Sequence, residues 1–244
     1  MSNFFRLGVN IDHVATLKRL RDTPYPALLK AAEECVRGGA DQITVHLRED
    51  RRHIVDQDVL ILKEHLAIDL NLEMAATAEM FDFALMVAPH SVCIVPEKRE
   101  ERTTEGGLDL SLDSNLKRYL PQLNARNIVT SLFIEPDQST VQTAYDLGAK
   151  AVELHTGSLC LKYQRGDRAG FEKGLQELQA VAAFGQELGL MVHAGHGIDY
   201  EIAPRLAQIG EIFEYNIGHS IVCEAIFVGI AEATRKMKAL LKKN

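Results

Sequence analysis

Short apolar runs alternate with longer amphipathic stretches along all 244 residues. The runs are Leu7–Ile11, Gln42–His46, Asp69–Met74, Ser91–Val95, Ile128–Ile134, Ala151–His155, Met191–Ala194 and Phe213–Ile217. Their length and apolar content predict buried strands. Between them, apolar residues recur at helical spacing over Pro26–Val36, Asp56–Leu66, Thr77–Val87, Pro136–Leu147, Phe171–Leu188, Tyr200–Ala207 and Ile221–Leu241. Gly38-Gly39, Gly148 and Gly189 are stop signals. Thr77, with Met80, Phe81 and Ala84 behind it, reads as a cap before an apolar face.

Strands alternating with helices predict a parallel sheet, and eight such units in this length predict a (β/α)8 TIM barrel with extra helices. With no Pro-, Gly- or Ser-rich linker, residues 1–244 read as one domain. An open doubly wound sheet is the rival, weakened because no G-x-G-x-x-G follows the first run. Glu97–Asp113 and Gly157–Gly170 are connections too long for plain turns, and such loops usually carry function. Both follow strands, so in a barrel both lie on the catalytic face. Glu97–Asp113 reads as a lid with Gly106-Gly107 as its hinge.

Composition narrows the function. Hydrophobic residues make 46% and charged residues 25%, the balance of a globular chain with a sizeable core. Lys plus Arg is 27 and Asp plus Glu 34, a net charge of −7, which argues against nucleic-acid binding. The four cysteines show no C-x-x-C spacing; a reduced compartment is expected, with Cys35, Cys93 and Cys223 as small buried hydrophobes. No signal-peptide pattern and no membrane-length apolar run is present, so a cytoplasmic protein is expected. Phe4-Phe5 and the apolar face of the last helix fit either an interface between copies or core packing.

The ends of the runs carry the chemistry. They offer Asn10, Asp12 and His13; His46, Arg48, Arg51, Arg52 and His53; Glu73; Glu97, Lys98 and Arg99; Glu135; Glu153 and His155; His193 and His196; Asn216 and His219. Seven of the nine histidines are in this set, the exceptions being His65 and His90. Histidine titrates near neutral pH, and gathering it on one face suits acid–base catalysis. If Leu70, Leu72 and Met74 face the helices, Asn71 and Glu73 face the barrel interior. A carboxylate there is costly unless paired or functional, which makes Glu73 a candidate base. The same parity puts Glu153 and His155 together. Residues 193–198 (HAGHGI) and 216–221 (NIGHSI) place glycines where barrels of this kind cradle phosphate. Arg21, Arg48, Arg51 and Arg52 could hold a second anion, although residues 48–53 equally read as a solvated charged turn.

No metal is expected. The hydrolase pattern of two histidines two apart is missing after the first run, and His193 and His196 are three apart around Gly195. Lys98, the one lysine near a strand end, sits in a charged run suited to the surface rather than to a Schiff base. A phosphosugar isomerase or aldolase-type barrel using Glu73 and His196 remains open. A phosphate-binding protein without turnover does not explain the inward carboxylate beside so many histidines.

GVNIDHVATL (8–17), ITVHLREDRRHI (43–54), NLEMA (71–75), VPEKREERTTEGGLD (95–109), SLFIEP (131–136), VELHTG (152–157), HAGHGI (193–198) and NIGHSIV (216–222) together resemble the pyridoxine 5′-phosphate synthase family. The likeness runs in order over essentially the whole chain. It implies a (β/α)8 barrel with extra helices, assembled as a homo-octamer of dimers. It implies condensation of 1-deoxy-D-xylulose 5-phosphate with 3-amino-2-oxopropyl phosphate to pyridoxine 5′-phosphate, inorganic phosphate and water, without a cofactor. By the resemblance, His46 and Glu73 are proton acceptors, His196 a proton donor and Glu153 a transition-state stabiliser. Asn10, Arg21, Gly197, Gly218 and His219 match contacts to the amino-ketone phosphate. Asp12, His13, Arg48, His53 and Thr103 match contacts to the deoxyxylulose phosphate. Residues 158–173 and His193 have no match.

Overall fold

The computed structural model describes residues 3–21, 23–97, 106–111 and 115–243. Eight parallel strands close into a barrel in sequence order: β1 (Arg6–Asn10), β2 (Gln42–His46), β3 (Asp69–Met74), β4 (Ser91–Ile94), β5 (Val129–Ile134), β6 (Ala151–His155), β7 (Met191–Gly195) and β8 (Glu214–Ile217). Around them lie α1 (Asp12–Arg19), α2 (Leu28–Gly38), α3 (Asp56–His65), α4 (Ala78–Val87), α5 (Leu116–Ala125), α6 (Gln138–Asp146), α7 (Gly157–Gln164), α8 (Arg168–Glu187), α9 (Ala203–Leu206), α10 (His219–Val228) and α11 (Ile230–Leu240). The TIM barrel expected from the run-then-helix rhythm is what forms. Among the described residues, no helix is long and apolar enough to cross a membrane.

Four details differ from the expectation. Gly157–Gly170 is not an open connection, because α7 occupies its first half. The last helix is two helices, broken at Gly229, whose φ of 81° interrupts the helical path. A further helix, α1, starts two residues beyond β1, and the helix expected over Tyr200–Ala207 shortens to α9.

Along most strands, apolar side chains alternate with polar ones, and the barrel sorts them. Leu7, Val9, Ile43, Val45, Leu70, Leu72, Val92, Ile94, Val152 and Leu154 pack outward and are buried beneath the helices. The alternate positions point inward: Gln42, Thr44, Asn71, Ser91, Cys93, Ser131, Glu153, His193, Glu214 and Asn216, all buried. Barrel interiors are ordinarily filled with bulky Val, Ile and Leu. This one is hydrogen-bonded instead. Gln42 donates to Glu214 at 2.7 Å, Ser91 to Asn71 at 2.9 Å and Asn216 to Glu153 at 2.8 Å. Arg6 closes the N-terminal end, reaching Glu214 at 2.9 Å and Asp69 at 2.8 Å.

Small residues make room for this filling. A Cβ on Gly8 would lie 1.9 Å from Asn216 Oδ1, and one on Gly195 would lie 2.1 Å from Glu153 Oε1. Phe5 is core rather than interface, buried edge-on against Tyr215 with ring centroids 5.4 Å apart.

Candidate active site

The C-terminal ends of the strands converge on a mouth lined by carboxylates and imidazoles. On the β1–β4 side, the Asp12 carboxylate accepts hydrogen bonds from the His46 backbone N–H at 2.9 Å and from Asn10 Nδ2 at 2.9 Å. Asn10 Oδ1 in turn accepts from the Asp12 N–H. Side-chain donor atoms of Asp12, His46 and Glu73 lie within 4.8 Å of one another, a spacing that could hold a cation. Each Asp12 oxygen also accepts one hydrogen bond, which fixes the carboxylate's orientation beside His46 and Glu73. His46 Nε2 meets Glu97 Oε1 at 2.8 Å, and His53 stands beside it with ring centroids 6.1 Å apart. Arg48, almost fully buried, reaches Asp50 at 3.4 Å.

Glu73 projects into the barrel as parity requires. It is partly open at the mouth, yet protein surrounds it closely enough to desolvate it. Burial first, then the charges of Glu153 and Asp12, push its carboxyl well above the usual range. Glu153 lies deeper. Burial pushes it up to about 7, against the stabilising hydrogen bond from Asn216 and with Glu214 adding repulsion. Cys93 fills the same level, with its Sγ 3.9 Å from Glu153 Oε2.

On the β5–β8 side, imidazoles face each other. His155 and His196 have ring centroids 5.1 Å apart, and His13 and His219 lie 4.9 Å apart. Burial, reinforced by His155, pushes His196 down to about 4. Burial also lowers His13, with His219 adding to the shift, and burial lowers His53. His155 Nδ1 contacts Glu135 at 2.9 Å, and Glu135 also accepts the Gly107 N–H at 2.8 Å.

His196 itself takes φ = 75°, a strained conformation for a side-chain-bearing residue, and Gly197 follows at φ = 79°. This turn brings the backbone against Gly157, where a Cβ would fall 2.5 Å from His155 Nε2 and 2.7 Å from His196 Cδ2. Gly218 then caps α10, so the unpaired N–H groups of its first turn point at the mouth beside His219. That arrangement suits an anion.

The structure therefore brings Asn10, Asp12, His13, His46, Arg48, His53, Glu73, Glu153, His196, Gly197, Gly218 and His219 to the barrel mouth or the layer below it. Arg21 is exposed just beyond α1. Thr103, Lys98 and Arg99 lie outside the described residues. His193 is not a mouth residue. It sits mid-strand in β7, with Nδ1 4.0 Å from Glu214 and its ring over Phe213 near the N-terminal end. Cys223 is not a buried hydrophobe either; it is exposed on α10, 3.5 Å from His219 Nε2. Sequence reasoning missed the pairing of Glu97 and Glu135 with histidines. Both were visible as rim residues, but their partners lie on other strands.

A family model described as pyridoxal phosphate biosynthesis protein PdxJ matches residues 7–243. The chain belongs to the PdxJ family. It is an enzyme of pyridoxal phosphate biosynthesis. The pyridoxine 5′-phosphate synthase of Thioalkalivibrio sulfidiphilus is 50% identical over 239 residues, covering 98% of this chain and 96% of that protein. The protein of the same name from Anaplasma marginale is 48% identical over 237 residues, covering 97% of each. Among solved structures, 3-hexulose-6-phosphate synthase superposes with a TM-score of 0.64 at 19% identity, covering 97% of this chain and 99% of that one. Thiamine phosphate pyrophosphorylase from Pyrococcus furiosus gives 0.60 at 14%, covering 98% and 96%. At such identities the likeness of these two to the PdxJ chain is one of barrel fold alone.

Proposed function

We propose that this PdxJ protein condenses 1-deoxy-D-xylulose 5-phosphate with 3-amino-2-oxopropyl phosphate, releasing pyridoxine 5′-phosphate, inorganic phosphate and water. The observation that carries the reading is the pairing of upshifted carboxyls with downshifted imidazoles around one barrel axis. Joining an amine to a ketone, losing water, eliminating phosphate and closing an aromatic ring are proton transfers. Each needs a base and an acid poised close to neutrality.

In this reading, His46 and Glu73 take protons from carbon or nitrogen, and His196 donates to departing oxygen. Glu153, one layer below, stabilises positive charge that develops on nitrogen. The α10 N-terminus with Gly197, Gly218, His219 and Asn10, helped by Arg21, holds the amino-ketone phosphate. Asp12, His13, Arg48, His53 and Thr103 hold the ketose phosphate. A dianion bound beside His196 raises its pKa, which readies it to act as an acid only when substrate is bound. The reaction needs no cofactor in this scheme. We also propose a cytoplasmic homo-octamer built from dimers; the strongly exposed Ile226 and Phe227 at the end of α10 suit burial between copies.

The test is a product assay with both phosphorylated substrates. Pyridine chromophore and inorganic phosphate should appear in equal amounts, with neither substrate sufficient alone. Isomerisation of the ketose, or phosphate release from it alone, would favour the single-substrate barrel enzyme.

A further inference from the structure

Glu97 is the third residue past β4, and the next residue in the chain, Lys98, lies outside the described residues. Its side chain nevertheless is only 5% exposed and points back across the mouth to β2. One carboxylate oxygen meets His46 Nε2 at 2.8 Å, and the other accepts the Glu49 backbone N–H at 3.1 Å. Burial opposes its ionised form, but the hydrogen bond and charge of His46, the Glu49 N–H and the Arg48 charge outweigh that, so its pKa is lowered.

An ionised carboxylate can only accept hydrogen bonds. The proton between the two groups therefore belongs on His46 Nε2. The lone pair of the neutral ring is then on Nδ1. A ring free to choose its tautomer would spend part of its time with that nitrogen protonated and useless as a base. The other charged or titratable groups around His46 are Asp12 after β1, Arg48 and His53 after β2, and Glu73 on β3. Asp12 engages the His46 backbone, not its ring. Among the described residues, Glu97 is the side chain hydrogen-bonded to the imidazole.

We propose that Glu97 is a positioning residue that locks His46 in the Nε2–H tautomer and so presents Nδ1 as the proton-accepting nitrogen. This rests on the reading of His46 as a base. Glu97 touches no reacting atom in this role.

The test combines kinetics with imidazole nitrogen NMR on the full-length protein. Glu97→Gln should lower kcat about 10–100-fold with KM for both substrates changed less than about threefold. Nitrogen spectra should show the Nε2–H tautomer for His46 in the native protein and a tautomer mixture in the variant. Glu97→Asp should recover part of kcat. In a His46→Asn background, Glu97→Gln should cost nothing further. Unchanged kcat and tautomer in Glu97→Gln, with His46→Asn inactive, would overturn the role of Glu97 while leaving His46 as the base. Full activity in His46→Asn would instead sink the reading of His46 on which the proposal rests. An additive loss in the double variant would mean that Glu97 acts other than through His46, which also overturns it.

Discussion

The two sides of the barrel mouth surround their histidines differently. On the β1–β4 side, His46 is tied to a buried carboxylate, and carboxyl groups surround it. On the β5–β8 side and where α1 meets α10, histidines face other histidines, burial presses the pKa values of His13 and His196 down, and Glu135 holds His155 from the rim. The first arrangement fixes which ring nitrogen of His46 carries its proton. The second buries His13 and His196 among other imidazoles. In the proposed reaction, a bound phosphate would favour the cationic forms of these two rings.

The largest expected break is on the carboxyl wall. Glu73→Gln keeps size and burial but removes the proton-accepting group, and kcat should fall at least about 10³-fold. Calorimetric binding of either phosphorylated substrate should persist. Full turnover in that variant would remove Glu73 from the mechanism. The imidazole wall breaks differently. Gly157→Ala would drive a methyl group into the space of His155 and His196. Displacing a proton donor by about 1 Å costs about 10²-fold. We expect that loss in kcat with a melting temperature close to native; native kcat would show that His196 has room to move without penalty.

The smallest effect sharpens the contrast rather than breaking it. Burial holds His196 down at about 4, and bound dianions should raise it. Its protonated form is fully present below the pKa and lost as pH rises through it. The alkaline limb of kcat, which reports the bound state, should therefore lie at higher pH than that of kcat/KM by at least about one unit. His196→Asn should abolish the difference. Coincident limbs in the native enzyme would show that phosphate does not tune this wall.

The sequence reading reached the carboxyl wall better than the imidazole wall. Parity alone turned Glu73 and Glu153 inward, because a strand permits two faces and the apolar neighbours claimed one. His193 obeys the same parity and was still misplaced. The run was taken to end at Ala194, whereas β7 continues to Gly195, so His193 lies deeper by a layer. α1 escaped notice because it begins almost at the end of β1 without a turn, and α7 because it opens on a glycine. The links from Glu97 to His46 and from Glu135 to His155 join different strands, and spacing along one chain carries no trace of them.

The hydrogen-bonded barrel interior also bears on how the chain finds its pairing. In a barrel whose strands are apolar on both faces, a strand slipped by one residue still buries grease against grease. Here a slip would turn Glu153, Asn216 and Gln42 outward against the helices and push Leu, Val and Ile into a space shaped for polar partners. Each strand would lose its hydrogen-bonded mates at the same moment as its apolar contacts. Misregistered barrels are thereby penalised twice, so the polar lining acts as a combination lock on strand register during folding.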